Sequence, residues 1–170
     1  LYAMLANGGV YRPVKLMPTI GDESTPKRLL SPEASYAVLE MLRENPRPSW
    51  EMAASSMARI PWKTGTSYGF RDAWAMGTVG PYALGVWVGN FDGAANSNFI
   101  GRDMAGPLFF GIADALHAEG PLLESVVHQQ LNLRKVRVCS LSGALPGPHC
   151  HSLKESWFIP GVSPIASCGV

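Results

Sequence analysis

Residues 60–90 read IPWKTGTSYGFRDAWAMGTVGPYALGVWVGN. Residues 60–66, 72–79 and 83–90 are short runs rich in β-branched and aromatic residues, and they predict three strands. Gly80-Pro81-Tyr82 joins the last two as an antiparallel hairpin. Gly77, Gly85 and Gly89 thin these strands and admit the close approach of a helix or a neighbouring backbone.

The first strand carries Lys63-Thr64-Gly65-Thr66. This is not the order of a phosphate loop, which needs a glycine-rich turn before Gly-Lys-Thr/Ser. Lysine on a strand presents its ammonium to one face, and Gly65, two residues on, leaves that face without a side chain. Thr64 and Thr66 add hydroxyls, and the N–H after Gly65 is unobstructed. A cation, two hydroxyls and an open N–H make a receptor for a carboxylate with an oxyanion beside it. The strand edge also suits an extended peptide. Taken alone, the triplet is common by chance and reads as an ordinary strand end.

Working outward, residues 31–46, SPEASYAVLEMLRENP, give the clearest helix. Ser31 caps it, Pro32 fits the first helical position, and Glu33 favours the positive end of the dipole. Ala34, Ala37, Val38, Met41 and Leu42 form the expected apolar stripe, and Pro46 and Pro48 end the helix. Residues 104–120, MAGPLFFGIADALHAEG, predict a largely buried helix covering the sheet. Residues 1–9, LYAMLANGG, read as a helix end stopped by Gly8-Gly9, and residues 10–17 as a short extended segment.

The 170 residues are 46% hydrophobic with a net charge of +1, which supports a buried core and gives no case for nucleic-acid binding. No stretch has the length and apolarity of a membrane span, and no signal peptide is recognisable. The chain opens at Leu1 inside a helix-like stretch and reads as a piece of a longer protein.

From about Gly120 the character changes. A connection leads to a strand at Val136–Cys139, after which Gly, Pro and Ser dominate in a loop-rich stretch with short strands at best. A boundary is expected between about residues 120 and 132. Cys139, Cys150 and Cys168 all lie in this last third. A disulfide, free thiols and a metal site are all open at this point; the spacing lacks the close Cys-x-x-Cys pairs usual in zinc sites, although His149 and His151 flank Cys150.

The stretch KTGTSYGFRDAWAMGTVGPYALGVWVGNFDG resembles the corresponding region of penicillin-binding protein transpeptidase domains, where an Arg-Asp-Ala-Trp turn leads into a hairpin ending in Trp-Val-Gly. YAMLANGGVYRPV resembles the Ala-Asn-Gly-Gly segment before it, and GRDMAGPLFFGIADAL the helix that closes the domain. The tail looks like the C-terminal module of bifunctional (class A) penicillin-binding proteins of the 1C type. The resemblance implies an α+β fold, with an antiparallel sheet covered by helices over residues 1–122. This would be part of the transpeptidase fold shared with serine β-lactamases. A small loop-rich β module would follow at 130–170.

It further implies a peptidoglycan D,D-transpeptidase that acylates a serine with D-Ala-D-Ala stem peptides, and with β-lactams, outside the bacterial cytoplasmic membrane. No cofactor, metal or nucleic acid is implied, and the membrane would be reached only through an N-terminal anchor outside this chain. The longer protein would carry a glycosyltransferase half. Carried over, Lys63 holds the positive field and tunes proton transfer. Thr64, Gly65 and Thr66 line the substrate carboxylate site, and the Thr66 N–H forms half of the oxyanion hole. Arg71 and Asp72 would pair locally as a structural turn, and Trp62 and Tyr68 serve packing or the surface. The resemblance also favours a disulfide, Cys139 with Cys150 as the nearer pair, leaving Cys168 for a partner beyond residue 170.

One departure matters. No Ser-x-Asn occurs, and the lone Ser-x-x-Lys at Ser24–Lys27 sits in a polar, proline-containing loop, unsuited to a nucleophile that must start a buried helix. The nucleophile is therefore absent from these residues, and the chain alone is expected to be inactive. Two other readings stand beside this one: a serine β-lactamase-like hydrolase and a non-catalytic peptidoglycan-binding module.

Overall fold

The computed structural model describes residues 1–17, 25–48, 59–120, 122 and 131–169. Three strands form the central sheet: β3 (Trp62–Thr66), β4 (Asp72–Val79) and β5 (Tyr82–Gly89), in the order β3-β4-β5 and antiparallel throughout. Before them come α1 (Tyr2–Ala6), a two-residue pair β1 (Val10–Tyr11) and β2 (Lys27–Arg28), and α2 (Pro32–Arg43). After them come α3 (Gly106–Ala118) and a separate hairpin of β6 (Arg134–Cys139) and β7 (Leu153–Phe158). The chain is thus α+β, with small antiparallel sheets.

The three expected strands are present. The β4–β5 hairpin closes between Val79 and Tyr82 on Gly80-Pro81, with Gly80 at φ +55°. Alternation along β4 buries Ala73, Ala75, Gly77 and Val79 against α3. Their small size is what lets the helix lie close. A Cβ on Gly77 would come within 2.5 Å of the Pro61 carbonyl oxygen and 2.7 Å of the Phe109 ring. Trp62 fills the same layer, 4.8 Å from Phe110 and 6.0 Å from Phe109 between ring centres.

Two helix expectations need correction. The buried residues of α2 are Ser35, Ala37 and Leu39, so Ala37 of the expected stripe is buried, whereas Val38 and Met41 are exposed at 36% and 58%. Leu39 turns the helix this way, because it packs with Met4 and Leu5 of α1. The closing helix opens with a π-helical turn at Gly101–Ala105, within the stretch the resemblance gave and three residues ahead of the one read from pattern alone. It is also buried along one side only: Phe109, Phe110 and Ala113 face the sheet, while Leu108 and Ile112 face out. A three-stranded sheet offers too little width to cover both.

Beyond the sheet, Arg47 pairs with Asp114 of α3, and its guanidinium lies 4.5 Å from the centre of the Phe110 ring. The tail hairpin is more regular than its composition suggested, with six residues in each strand. Tyr36 of α2 meets Trp157 of β7 edge-on at 5.4 Å, and Lys135 stands 5.1 Å over the Trp157 ring.

Candidate functional site

The site is built on β3, which pairs with β4 on one side and is an edge strand among the described residues. Antiparallel ladders alternate between residues bonded to the partner strand and residues whose N–H and C=O point away. Here Thr78 N–H donates to the Pro61 carbonyl at 3.1 Å, and Ser67 N–H to the Asp72 carbonyl at 2.9 Å. The odd-numbered residues of β3 therefore exchange bonds with β4. The even-numbered residues, Thr64 and Thr66, direct their backbone groups to the open edge. Trp62 follows the same rule, since its outward carbonyl accepts from Asn45 Nδ2 at 2.7 Å.

Lys63 is exposed, and its ammonium donates to the Thr64 carbonyl at 2.9 Å. That bond swings the charge round to the open edge. Gly65 lies opposite Trp74 on the outer face with Lys63, so the ammonium has no side chain beside it along the strand. Thr64 and Thr66 share the inner face with Trp62. The cation and the two hydroxyls thus occupy opposite faces and meet only at the edge, a point that the sequence reading left unresolved.

The Thr66 hydroxyl has a second task. It accepts from Gly101 N–H at 3.0 Å, at the start of the π-helical turn. This fixes the side chain while leaving its O–H free to donate to an anion. Gly101 is required there, because a Cβ would sit 2.4 Å from the Gly65 carbonyl oxygen and 2.8 Å from that of Trp74. Neither contact could be read from the sequence, since residues 66 and 101 are joined only by the fold.

The expected pairing of Arg71 with Asp72 is replaced by another. Asp72 accepts from Trp87 Nε1 at 2.9 Å, and its N–H donates to Ser67 Oγ at 2.8 Å. The Trp87 bond foremost, then the Ser67 hydroxyl beside the carboxylate, hold the Asp72 carboxyl below its ordinary value of 3.8, with Arg71 adding the weakest attraction. The cause is the register, which brings Asp72 opposite Gly89, two residues from Trp87 on the same strand. The β3–β4 turn between them holds Gly69 at φ +75° and Phe70 at φ +55°. Tyr68 at its tip is fully exposed, and Trp62 is core.

Ser24 and His128 lie outside the described residues, while Lys27 is exposed on β2. His117 Nδ1 lies 2.8 Å from the Ala113 carbonyl oxygen within its own helix. A separate groove between α2 and the tail hairpin is lined by Glu40, Arg59 and Trp157 among others, away from Lys63.

In the tail, Cys139 and Cys150 are free thiols, and Cys168 stands with them rather than apart. Backbone bonds explain this: Leu145 N–H donates to the Ala166 carbonyl and Cys168 N–H to that of Leu145, both at 2.8 Å. These bonds draw the chain end across the loop.

Comparison with known proteins places these elements. Residues 129–170 match the family model for the C-terminal domain of penicillin-binding protein 1A. Penicillin-binding protein 1C of Escherichia coli (strain K12) is 29% identical over 166 residues, which cover 96% of this chain and 21% of that protein. These matches support a fragment of a class A penicillin-binding protein. Penicillin-binding protein 1A of Clostridium perfringens is 28% identical over 185 residues, covering 98% of this chain and 22% of the relative. The chain spans about a fifth of the length of these curated relatives. The crystal structure of penicillin-binding protein 1A from Haemophilus influenzae superposes with a TM-score of 0.62 at 19% identity. The match covers 85% of this chain and 23% of that one, and it bears on the fold alone.

Proposed function

We propose that residues 1–122 form the substrate-gripping wall of a serine D,D-transpeptidase domain, and residues 130–170 an accessory module of the 1C type. The observation that carries this reading is the open edge of β3. There the Lys63 ammonium and the outward N–H groups of Thr64 and Thr66 line the unpaired side of the strand. An extended stem peptide would add to this edge as a strand. Its terminal carboxylate would meet Lys63 and the Thr66 hydroxyl, and the scissile carbonyl oxygen the Thr66 N–H. Such a donor contributes about 3 kcal/mol to an acyl-transfer transition state. The serine nucleophile and its lysine base would come from chain outside these residues, on the outer side of the membrane.

Two experiments test the reading. The isolated chain is expected to form no stable adduct with a fluorescent penicillin, and stoichiometric covalent labelling would overturn the assignment of the nucleophile elsewhere. In the full-length protein containing this segment, Lys63→Ala is expected to slow acylation by about 100-fold or more with the fold intact. Unchanged labelling kinetics would remove Lys63 from the mechanism. Turnover of a chromogenic β-lactam by that same full-length protein would favour a hydrolase instead.

A further inference from the structure

The tail brings three thiols from three separate segments to one point. The sulfurs of Cys139, at the end of β6, Cys150, in the loop before β7, and Cys168, near the chain end, all lie within 4.8 Å of one another. We propose that these three cysteines are the protein ligands of a zinc ion that staples residues 131–169 together.

The first argument is geometric. Zinc–sulfur bonds of about 2.3 Å in a tetrahedron place sulfurs about 3.8 Å apart, so the cluster need close by only about an ångström. A disulfide would use two of the thiols and leave the third buried beside it without a role.

The second argument is the backbone around the sulfurs. The loop after Cys139 is wound tightly: Gly143 N–H donates to the Cys139 carbonyl at 2.9 Å, with Gly143 at φ +72°. Gly147 N–H donates to Cys150 Sγ at 3.3 Å. A backbone N–H aimed at sulfur is the kind of outer contact that orients a metal-binding cysteine. Gly147 is also needed for the third ligand to approach, since a Cβ there would lie 2.6 Å from the Cys168 carbonyl oxygen.

The third argument is which residues of this stretch are buried. Among the described residues from 131 to 169, only Val138, Cys139 and Cys168 are buried. Within these residues apolar burial is slight, and a bound metal would add to what holds them together. Zinc does so because a site absent from the unfolded chain turns binding free energy into folding free energy. Binding releases the protons that the three thiols carry. Three protein ligands leave one position of the tetrahedron for water, or for an imidazole from His149 or His151, both exposed beside Cys150.

The test uses the intact chain purified with zinc and without chelator. One zinc per chain is expected to survive desalting, with all three thiols unreactive until a chelator is added. Cobalt in place of zinc is expected to give intense thiolate-to-metal absorption in the near ultraviolet. Cys168→Ser is expected to weaken zinc binding by about 100-fold or more, whereas a Cys139–Cys150 disulfide would be indifferent to it. Should that variant not fold, the chelator dependence of thiol reactivity in the unsubstituted chain decides alone. Failure to retain zinc at stoichiometric supply, or a peptide map linking Cys139 to Cys150 by a disulfide, overturns the proposal. The outcome is independent of acylation at Lys63.

Discussion

At the scale of single residues, the glycines and one carboxylate are most informative. Gly77 was legible as a thin point in a strand, and the structure gives the cause: the Phe109 ring and the Pro61 carbonyl occupy the space a Cβ would take. Gly77→Ala is therefore expected to destabilise the fold by about 1–3 kcal/mol, as overpacking does, with the loss read from the urea midpoint. A variant as stable as the parent would mean that α3 can slide off the sheet at no cost. Asp72 makes a different prediction. Its folded carboxyl sits below the ordinary 3.8, chiefly through the Trp87 bond. A lowered folded value contributes stability that is present above the unfolded value and is lost as pH falls through the folded one. Stability should thus drop below about pH 4 more steeply in the parent than in Asp72→Asn, with Trp87 fluorescence following the change. Parallel pH curves would separate Asp72 from the hairpin's acid sensitivity. The sequence offered Arg71 as the partner because it is adjacent, but adjacent residues on a strand point to opposite faces, and only register reveals Trp87.

At the scale of elements, local chemistry predicted where structure starts, and tertiary packing decided which way it faces. The N-terminus of α2 is as its sequence requires: the Ser31 hydroxyl accepts from Ala34 N–H at 3.1 Å, with Pro32 at the first position. Ser31→Ala is expected to cost about 1 kcal/mol, and Ser31→Asp to restore it, in thermal unfolding. The stripe on the same helix was misread because Val38 and Met41 look like core by spacing, whereas Leu39 is the side chain that α1 receives. The strands were legible because β-branched and aromatic runs are bounded by glycine and proline. The π-helical turn was not, since nothing local marks it; it exists because Gly101 N–H finds the Thr66 hydroxyl across the fold. At the site, the residue types at Lys63–Thr66 were readable, but their division between two faces and an edge required the ladder.

At the scale of the molecule, the tail is joined to the body through a few named contacts. Trp157 carries one of them, with Tyr36 edge-on at 5.4 Å, while within the tail Lys135 stands over its ring at 5.1 Å. Glu33 Oε1 adds a long bond from Asn132 N–H at 3.4 Å. None of these residues belongs to the main core of Trp62, Val79, Phe109 and their neighbours. The body and the tail should therefore respond separately to loss of the contact. Trp157→Ala removes an aromatic pair of about 0.5–1.5 kcal/mol and its cation partner. The tail's opening should rise by roughly threefold to tenfold, read as faster tryptic cleavage at Lys135 and Lys154 under native conditions. Tyr36→Ala should raise it by a similar factor, and the double variant by little more, since both substitutions break one contact. The unfolding midpoint of the central sheet should stay in place. If instead the sheet and tail lost stability together, the two would form one cooperative unit. The tail would then brace α2, and through Asn45 the carbonyl edge of β3 on which Lys63 sits.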